Sequence, residues 1–177
     1  HGVQFHLGAE VTEELIQDEL PDTVVLATGP VYSQLKGSGG DHRKVVYLLD
    51  VMNGRAPVGQ TIVVYGNRKP GIGCALYLAK QGKKVTLVGR DKSAGFDVNP
   101  SFKWRYLIYM RQAGINTYND CDIEQIADGE VLVRTYDGYR FPVACDTVVV
   151  TERARNDDLK KAEAEFSKGV LTIKLPK

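Results

Sequence analysis

The most regular feature of the sequence is a series of short, mainly apolar runs that alternate with segments of helical periodicity. The runs lie at residues 24–27, 62–65, 84–88 and 146–151. Runs of this length and composition are typical of parallel strands that are covered on both faces. After the second run, apolar residues recur at helical spacing until Gly82. Residues 61–88 therefore predict one βαβ unit with parallel strands and a right-handed crossover.

A second helix is predicted from the residues at its ends. Asn99 is a residue type that caps helix N-termini with its side chain, and Pro100 follows at the first helical position, where a missing N–H is tolerated. Gly114 ends the segment, as glycine commonly does just beyond a helix. Residues 115–118 then resume a strand pattern.

Three segments with alternating apolar and polar residues follow, at residues 123–127, 131–136 and 139–144. Asp-Gly pairs separate them, and this dipeptide is typical of tight hairpin turns. The segments therefore predict an antiparallel meander, after which residues 146–151 return to the parallel sheet. The predicted fold class is α/β, with a central parallel sheet and an added meander.

The two ends of the chain show weaker patterns. Residues 3–7 alternate as a strand does, residues 12–20 predict a short helix or turn, and the acidic and basic mixture at residues 156–168 is helix-like. The runs DTVVLATG and DTVVVTER resemble each other and suggest two related halves. Because the sequence opens without a methionine in strand-like residues, we expect a fragment excised from a longer protein. The predicted divisions are an incomplete nucleotide-fold half at 1–55, a second nucleotide-fold half at 56–155 and a C-terminal segment at 156–177.

Composition argues against several kinds of partner. The chain has 23 lysine and arginine residues against 22 aspartate and glutamate residues, so it carries no overall charge that would gather nucleic acid or an anionic membrane. No apolar run approaches the roughly 18 residues that cross a bilayer. Cys74, Cys121 and Cys145 show neither a disulfide framework nor metal-ligand spacing, and the three histidines add none. We expect a cytoplasmic protein with no metal site and no nucleic-acid or membrane partner, and no oligomeric state is predicted.

Two further features are interpreted as packing. Cys74 lies early in the first predicted helix, where the dipole favours a thiolate, but it has no partner cysteine and is expected to be a buried small residue. Five aromatic residues in the predicted strands and helices are expected to pack in the core instead of stacking on a flavin or a base. They are Tyr65, Tyr77, Trp104, Tyr106 and Tyr109.

The loop between the first strand of the βαβ unit and its helix reads Gly66-Asn67-Arg68-Lys69-Pro70-Gly71. A glycine-rich loop binds pyrophosphate at this place because the helix N-terminal amides face the anion and glycine lets the backbone approach it. Against the pattern GxGxxG, the first and last glycines are present, but Arg68 stands at the middle position. Its side chain is expected to obstruct the usual pose, and Pro70 removes an amide donor near the start of the helix.

The second strand ends in Gly89-Arg90, where an NAD-binding domain has an acidic residue that holds the ribose hydroxyls. Arg90 cannot accept those hydrogen bonds, but a guanidinium pairs well with a 2′-phosphate, and Arg68 and Lys69 offer contacts to a diphosphate. Weak binding is therefore expected, with NADP or a simple adenine nucleotide such as ADP preferred to NAD. The alternative interpretation is that these cations are solvated loop residues in a domain that has lost its ligand.

Several sequence blocks in one order carry a family resemblance. TIVVYGNRKPGIGCALYLAKQGKKVTLVGR is followed by DVNPSFKWRYLIYMRQAGI and DTVVVTERAR, and is preceded by GVQFHLGAEVTEELI, DTVVLATG and VVYLLDVMNG. Together they resemble the C-terminal region of the 2,4-dienoyl-CoA reductase and trimethylamine dehydrogenase family, the NADH:flavin oxidoreductases, over nearly the whole chain. The resemblance implies a Rossmann-like FAD/NAD(P)-binding fold with three layers, two of β-sheet and one of α-helix, as in pyridine nucleotide-disulfide oxidoreductases. It also implies that residues 1–55 are an incomplete FAD/ADP-binding-type half and residues 56–155 an NAD(P)-binding-type domain.

The long enzymes of that family are similar to old yellow enzyme in an N-terminal barrel that carries FMN, with an iron–sulfur cluster beside it. The resemblance therefore implies that FAD, FMN and the cluster belong to a parent flavoprotein, whose remaining domains are the partners of this chain. No catalytic residue is expected in the chain itself. The candidate cofactor-binding residues are Thr28 and Gly29 in the turn of the first half, and Gly66, Asn67, Arg68, Lys69, Gly71, Gly89 and Arg90 around the second loop.

The sequence departs from the family pattern by placing bulky charged residues at Arg68, at Arg90 and at Glu152-Arg153, where a glycine turn would follow the last strand. Two functional hypotheses follow. The first is a nucleotide-binding domain of an NADH:flavin oxidoreductase-like enzyme with a degenerate NAD(P) loop. The second is a non-catalytic scaffold or adenine-nucleotide-sensing module that keeps the fold.

Overall fold

The computed structural model describes residues 2–25, 27, 31–32, 39, 42–154, 163–167 and 170–174. The chain forms two compact units, one from His1–Val31 with Arg155–Lys177 and the other from Tyr32–Ala154. The helices are α1 (Glu13–Glu19), α2 (Leu48–Met52), α3 (Lys69–Lys80) and α4 (Pro100–Gln112). The strands are β1 (Val31–Tyr32), β2 (Val45–Tyr47), β3 (Thr61–Tyr65), β4 (Lys84–Gly89), β5 (Asn116–Asn119), β6 (Cys121–Ala127), β7 (Glu130–Thr135), β8 (Arg140–Ala144), β9 (Thr147–Val150), β10 (Arg153–Ala154), β11 (Glu163–Ser167) and β12 (Val170–Lys174).

A five-stranded parallel sheet lies at the centre of the larger unit, in the order β2-β9-β3-β4-β5. β3 and β4 are parallel neighbours, with Thr61 opposite Lys84 and Tyr65 opposite Val88. This pairing confirms the predicted parallel βαβ unit, and β9 returns to the sheet as predicted. β2 pairs in parallel with β9 at one edge. The sequence did not predict this strand, because three residues are too few to show a period.

The continuous apolar character of the central strands follows from burial on both faces. Ile62 and Val64 of β3 pack on the side of the helices, with Leu78 of α3 among their neighbours. Val63 and Tyr65, which alternate with them, pack on the opposite side against the meander. Since successive side chains of a strand point to opposite faces, a strand between two layers needs apolar residues at every position.

The second helix begins and ends where the sequence predicts. The side chain of Asn99 accepts a hydrogen bond from the backbone N–H of Ser101 at 2.9 Å, and Gly114 follows the helix with φ of 67°, a conformation that favours glycine. Most of the apolar side chains of α4 are nevertheless exposed, and among the described residues of this helix only Met110 is buried.

The expectation that the five aromatic residues pack in the core is therefore only partly correct. Tyr65 is buried and Tyr106 packs partly buried against the core. The other three are exposed: Tyr77, Trp104 and Tyr109. They lie on the outer faces of α3 and α4, and in the described residues no further layer covers these faces.

β6, β7 and β8 form the predicted antiparallel meander. Gly129 and Gly138 in the two hairpin turns have φ of 80° and 91°, which explains the Asp-Gly pairs. A buried lysine also ties this layer to the start of β2. The Nζ of Lys44 donates to the backbone oxygen of Glu130 at 2.7 Å, and to the backbone oxygens of Ala127 and Cys145. Sequence reasoning did not single out Lys44.

The smaller unit differs more from prediction. α1 lies within the predicted residues 12–20, and the side chain of Thr12 caps it. Residues 3–7 form no strand, and neither do the described residues of the run at 24–27, where Val25 is 82% exposed. An apolar run becomes a buried strand only beside strands that can pair with it. Residues 163–167 are a strand instead of a helix, because acidic residues alternate there with Ala164 and Phe166 and β11 pairs antiparallel with β12.

Candidate functional site

The glycine loop Gly66-Asn67-Arg68-Lys69-Pro70-Gly71 connects the carboxyl end of β3 to the first turn of α3. The carboxyl ends of the two neighbouring strands in the sheet, β4 and β9, lie beside it. Thr151, directly after β9, donates its backbone N–H and its hydroxyl to the carbonyl oxygen of Tyr65, both at 2.9 Å. In parallel α/β sheets this edge is where ligands bind. The structure therefore places the loop where a dinucleotide-binding loop belongs.

Two glycines of the loop are required by close packing. Gly66 has φ of 117°, and a Cβ there would overlap the side chain of Thr151. A Cβ at Gly71 would overlap the carbonyl oxygen of Gly66, because the first turn of α3 lies directly against the end of β3. Gly71 therefore has the role of the last glycine in the dinucleotide pattern, which is close helix–strand packing.

Asn67 is fully buried and joins the loop to the two strands beyond it. Its Nδ2 donates to the backbone oxygen of Asp91 at 2.8 Å and to Oδ1 of Asn119 at 2.9 Å, and its Oδ1 accepts the backbone N–H of Asp91 at 3.3 Å. Gly89 makes room for this side chain, since a Cβ at position 89 would overlap Asn67. Both candidate residues thus have structural roles in holding the loop.

Arg68, at the middle position of the pattern, points to a carboxylate of the chain itself. Its Nε lies 2.8 Å from Oδ2 of Asp91, and its Nη2 donates to Oδ1 of the same group at 3.2 Å. The hydrogen bonds and charge of Asp91 raise the pKa of Arg68 above its usual value. Such a two-point contact is the geometry in which arginine binds carboxylate or phosphate.

The first amide of α3 also has a partner. The backbone N–H of Lys69 donates to Oδ1 of Asp97 at 2.8 Å. Asp97 belongs to the segment between β4 and α4, and its carboxylate stands at the N-terminus of α3, where a phosphate of a bound nucleotide is commonly held. Sequence reasoning missed Asp97, because nothing in the spacing of residues 69 and 97 indicates that they meet.

Arg90 lies on the meander side of the same edge. Its Nε is 3.3 Å from Oδ2 of Asp122, and its guanidinium carbon is 5.6 Å from the centre of the Tyr65 ring. The hydroxyl of Tyr65 donates to the other oxygen of Asp122. Burial and the neighbouring Asp122 raise the pKa of Tyr65, so this phenol stays protonated.

Glu152 completes the charged groups of this edge. It is partly buried at the second position after β9, and its backbone nitrogen lies against Gly66. Burial raises the pKa of its carboxyl group, while the charges of Arg90 and Arg68 oppose this shift. Two arginines therefore face three carboxyl groups, those of Asp91, Asp122 and Glu152, and the loop has no excess positive charge in the described residues.

The remaining candidates give a mixed result. Thr28 and Gly29 lie outside the described residues. Cys74 is buried as predicted, and burial raises its pKa to about 12, so its thiol is neutral near pH 7. In the part of the chain that the structure describes, no group of three or more histidine, cysteine, aspartate or glutamate residues is placed to hold a metal ion. No described helix combines the length and the apolar character that a membrane span needs.

Comparisons with known proteins agree with this architecture. Over 88% of this chain, the sequence is 25% identical to a metal reductase of Desulforamulus reducens. Over 65% of this chain, it is 31% identical to an NADH oxidase of Thermoanaerobacter brockii. The structure of a 2-naphthoyl-CoA reductase superposes with a TM-score of 0.80 and 32% identity, over 91% of this chain and 24% of that one. The chain spans 28% and 18% of the two curated relatives, so it corresponds to only one part of such proteins.

A family model described as pyridine nucleotide-disulphide oxidoreductase matches residues 4–173. The match covers nearly the whole chain and agrees with the parallel sheet, its flanking helices and the meander. It confirms the fold class and the family resemblance found in the sequence. The chain belongs to the pyridine nucleotide-disulphide oxidoreductase family, whose fold binds FAD and NAD(P).

Proposed function

We propose that the chain is the pyridine-nucleotide-type domain of a larger flavin-dependent oxidoreductase, with a degenerate NAD(P) loop that binds nicotinamide dinucleotides weakly. Two findings support this assignment: the family model matches nearly the whole chain, and the chain aligns with only a small part of the length of each relative. In this proposal the parent protein carries out the redox reaction, with FAD, FMN and an iron–sulfur cluster in its other parts, in the cytoplasm. The chain contributes no catalytic residue of its own.

The observation that carries the proposal is the hydrogen bond of 2.8 Å from the backbone of Lys69 to the carboxylate of Asp97. An anion at the N-terminus of α3 is what a dinucleotide would supply with its pyrophosphate. Here the chain supplies the anion. A pyrophosphate at this position must displace Asp97 and approach a second carboxylate, Asp91, that holds Arg68. The residues present do not fit a dinucleotide in the usual pose.

The same pairing limits the help that the arginines give to phosphate. Arg68 would have to exchange Asp91 for a phosphate, and Arg90 would have to exchange Asp122 for the 2′-phosphate of NADP. Each exchange replaces one charged contact with another, so its net gain is small. We still rank NADPH or a simple adenine nucleotide above NADH. The residue that follows β4 is Arg90, which can pair with a phosphate, and it is not a carboxylate, which would hold the ribose hydroxyls of NADH.

The second candidate function is a non-catalytic scaffold or adenine-nucleotide-sensing module that uses the fold for packing between domains. A specific observation favours the scaffold: α4 exposes large apolar residues on its outer surface. Exposed apolar patches of this kind commonly mark surfaces that contact another domain or protein. The exposed residues of α4 are Phe102, Trp104, Leu107, Ile108 and Tyr109.

Calorimetric titration of the chain with NADH, NADPH, ADP and AMP separates these functions. The degenerate-loop proposal predicts weak binding, with dissociation constants of about 0.1 mM or more. The absence of heat with all four nucleotides would favour the scaffold. Micromolar binding of NADH and NADPH alike would contradict both functions, since it requires the loop to accept a pyrophosphate in the presence of Asp97. Flavin and iron analysis of the parent protein tests its cofactors separately.

A further inference from the structure

A groove lies between α4 and β5, and Asn119 in its lining also accepts a hydrogen bond from Asn67 of the glycine loop. Its cavity volume is about 590 Å³, within the range of small-ligand sites. Leu107 and Met110 form part of its apolar wall, and Asn116 and Asn119 of β5 contribute polar groups. Nothing in the proposed nucleotide function uses this groove.

One side of the groove is a sheet edge. β5 is the last strand in the order β2-β9-β3-β4-β5, and it pairs in parallel with β4, from Thr86 opposite Asn116 to Gly89 opposite Asn119. Among the described residues, no strand pairs with its other edge. An edge strand presents unpaired N–H and C=O groups to any extended segment that lies beside it.

Two cations in the groove have no carboxylate partner in the described part of the chain. Lys103 and Arg111 line it, no aspartate or glutamate lines it, and neither cation forms an ion pair among the described residues. Lys103 donates to the hydroxyl of Ser93 at 2.8 Å, which leaves two of its three N–H donors for another group. Arg68 and Arg90 at the glycine loop, by contrast, each face a carboxylate. An anionic ligand therefore gains more binding free energy in the groove than at the glycine loop, because in the groove it displaces no carboxylate.

The spacing of the two cations indicates the shape of the ligand. Lys103, Leu107 and Arg111 follow each other at intervals of four residues, so they lie along one face of α4. Eight helical residues span about 12 Å. An extended chain advances about 3.3 Å per residue, so two of its residues four positions apart lie about 13 Å from each other on one face. The residue between them on that face would lie beside Leu107.

We propose that this groove binds an extended acidic segment of polypeptide, which adds a strand to the free edge of β5. Its backbone pairs with β5, two acidic side chains four residues apart reach Lys103 and Arg111, and an apolar side chain midway between them packs against Leu107. Backbone pairing supplies affinity, and the alternate side chains supply specificity. The partner is identified by this acidic–apolar–acidic pattern.

The test uses the whole chain and a capped peptide of seven residues, with glutamate at its second and sixth positions, leucine at its fourth and threonine elsewhere. NMR spectra of the labelled protein should show shifts in the amide signals of residues 116–119 when the peptide is added. Reversing both charges, with Lys103→Glu and Arg111→Glu, should lower the affinity about tenfold or more. Arg105→Glu is the matched control, because Arg105 lies on the same helix and does not line the groove. It should change the affinity less than twofold.

Backbone methylation of the peptide distinguishes strand addition from simple charge attraction. In a strand that pairs along one edge, every second backbone N–H points to the neighbouring strand and the others point away from it. Methylating the peptide nitrogens that face β5 should therefore abolish binding, while methylating those that face away should leave it intact. Equal binding of both methylated peptides, or competition by inorganic phosphate without shifts at residues 116–119, would overturn the proposal in favour of a small-anion site. Absence of binding would also overturn it. So would self-association of the chain that the two charge reversals abolish, because the occupant would then be a second copy.

Discussion

The side-chain Oδ1 of Asp97 lies 2.8 Å from the backbone nitrogen of Lys69, the first residue of α3. The two residues are 28 positions apart. The contact places a negative charge at the positive end of the helix dipole, where it stabilises the helix. The chain thus fills with its own carboxylate the position that a nucleotide phosphate takes in related folds.

Replacing Asp97 should therefore favour phosphate binding. Asp97→Ala is expected to raise the affinity for ADP about three- to tenfold, because an anion at a helix N-terminus contributes roughly 0.3 to 1 kcal/mol and a repulsive charge is also removed. The same change should lower the free energy of unfolding by about 0.5–2 kcal/mol, as the loss of a helix cap does. Calorimetry with ADP and urea denaturation measure the two effects. Glu130→Ala, which removes one exposed negative charge from the meander, should change neither.

Two glycines of α3 form a matched pair for testing the close packing of the loop. Gly71→Ala should lower the free energy of unfolding by about 1–3 kcal/mol, because its Cβ would overlap the carbonyl oxygen of Gly66. Gly73, two positions later in the same helix, has no neighbouring atom in the path of a Cβ. Gly73→Ala should instead stabilise the protein by about 0.5–1 kcal/mol through its better helix propensity. Equal effects of both substitutions in urea denaturation would contradict this packing.

Asn67 should be a major contributor to the stability of the loop. Asn67→Ala removes a fully buried side chain and leaves the backbone N–H of Asp91 and the Oδ1 of Asn119 without the hydrogen bonds that they make with it, while the backbone oxygen of Asp91 keeps only its bond from Asp120. We expect the free energy of unfolding to fall by about 2–3 kcal/mol. Asn53→Ala serves as the control, since Asn53 is exposed and only its backbone N–H caps α2. A loss within about 0.5 kcal/mol for Asn67→Ala would show that the network does not stabilise the loop.

The carboxyl group of Glu152 should make stability depend on pH. Its pKa is raised in the folded state by burial, so the folded protein holds this proton more tightly than the unfolded chain. The contribution of Glu152 is then fully present below its unfolded pKa, near 4.5, and is lost as the pH rises through the raised folded value.

Glu152→Gln should remove this part of the pH dependence. The variant is expected to be more stable than the unaltered protein at pH 7, and the difference should shrink as the pH falls below the unfolded pKa of the glutamate. Thermal unfolding from pH 3.5 to pH 8 measures the difference. Lower stability of Glu152→Gln at pH 7 would mean that attraction to Arg90 and Arg68 outweighs the cost of burial.

Much of the larger unit could be predicted from sequence, because its elements are determined by neighbouring residues. The runs that became β3, β4 and β9 are apolar at successive positions, Asn99 and Gly114 bound α4, and the Asp-Gly pairs form the hairpin turns. β2 could not be predicted, because three residues show no period and its pairing with β9 depends on a strand about 100 residues later. The described residues of the run at 24–27 form no strand, which shows that composition alone does not place a strand in a sheet.

The sequence by itself determined the βαβ unit, the position of its glycine loop and the presence of Arg68 at the middle position of the loop, since these are properties of consecutive residues. Only the tertiary structure decided what the charges around that loop do. Arg68 and Asp91 are 23 positions apart, and Arg90 meets Asp122 only because β4 and the meander lie side by side. Attraction between charges depends on their distance in space and on burial, and neither can be derived from their order in the chain.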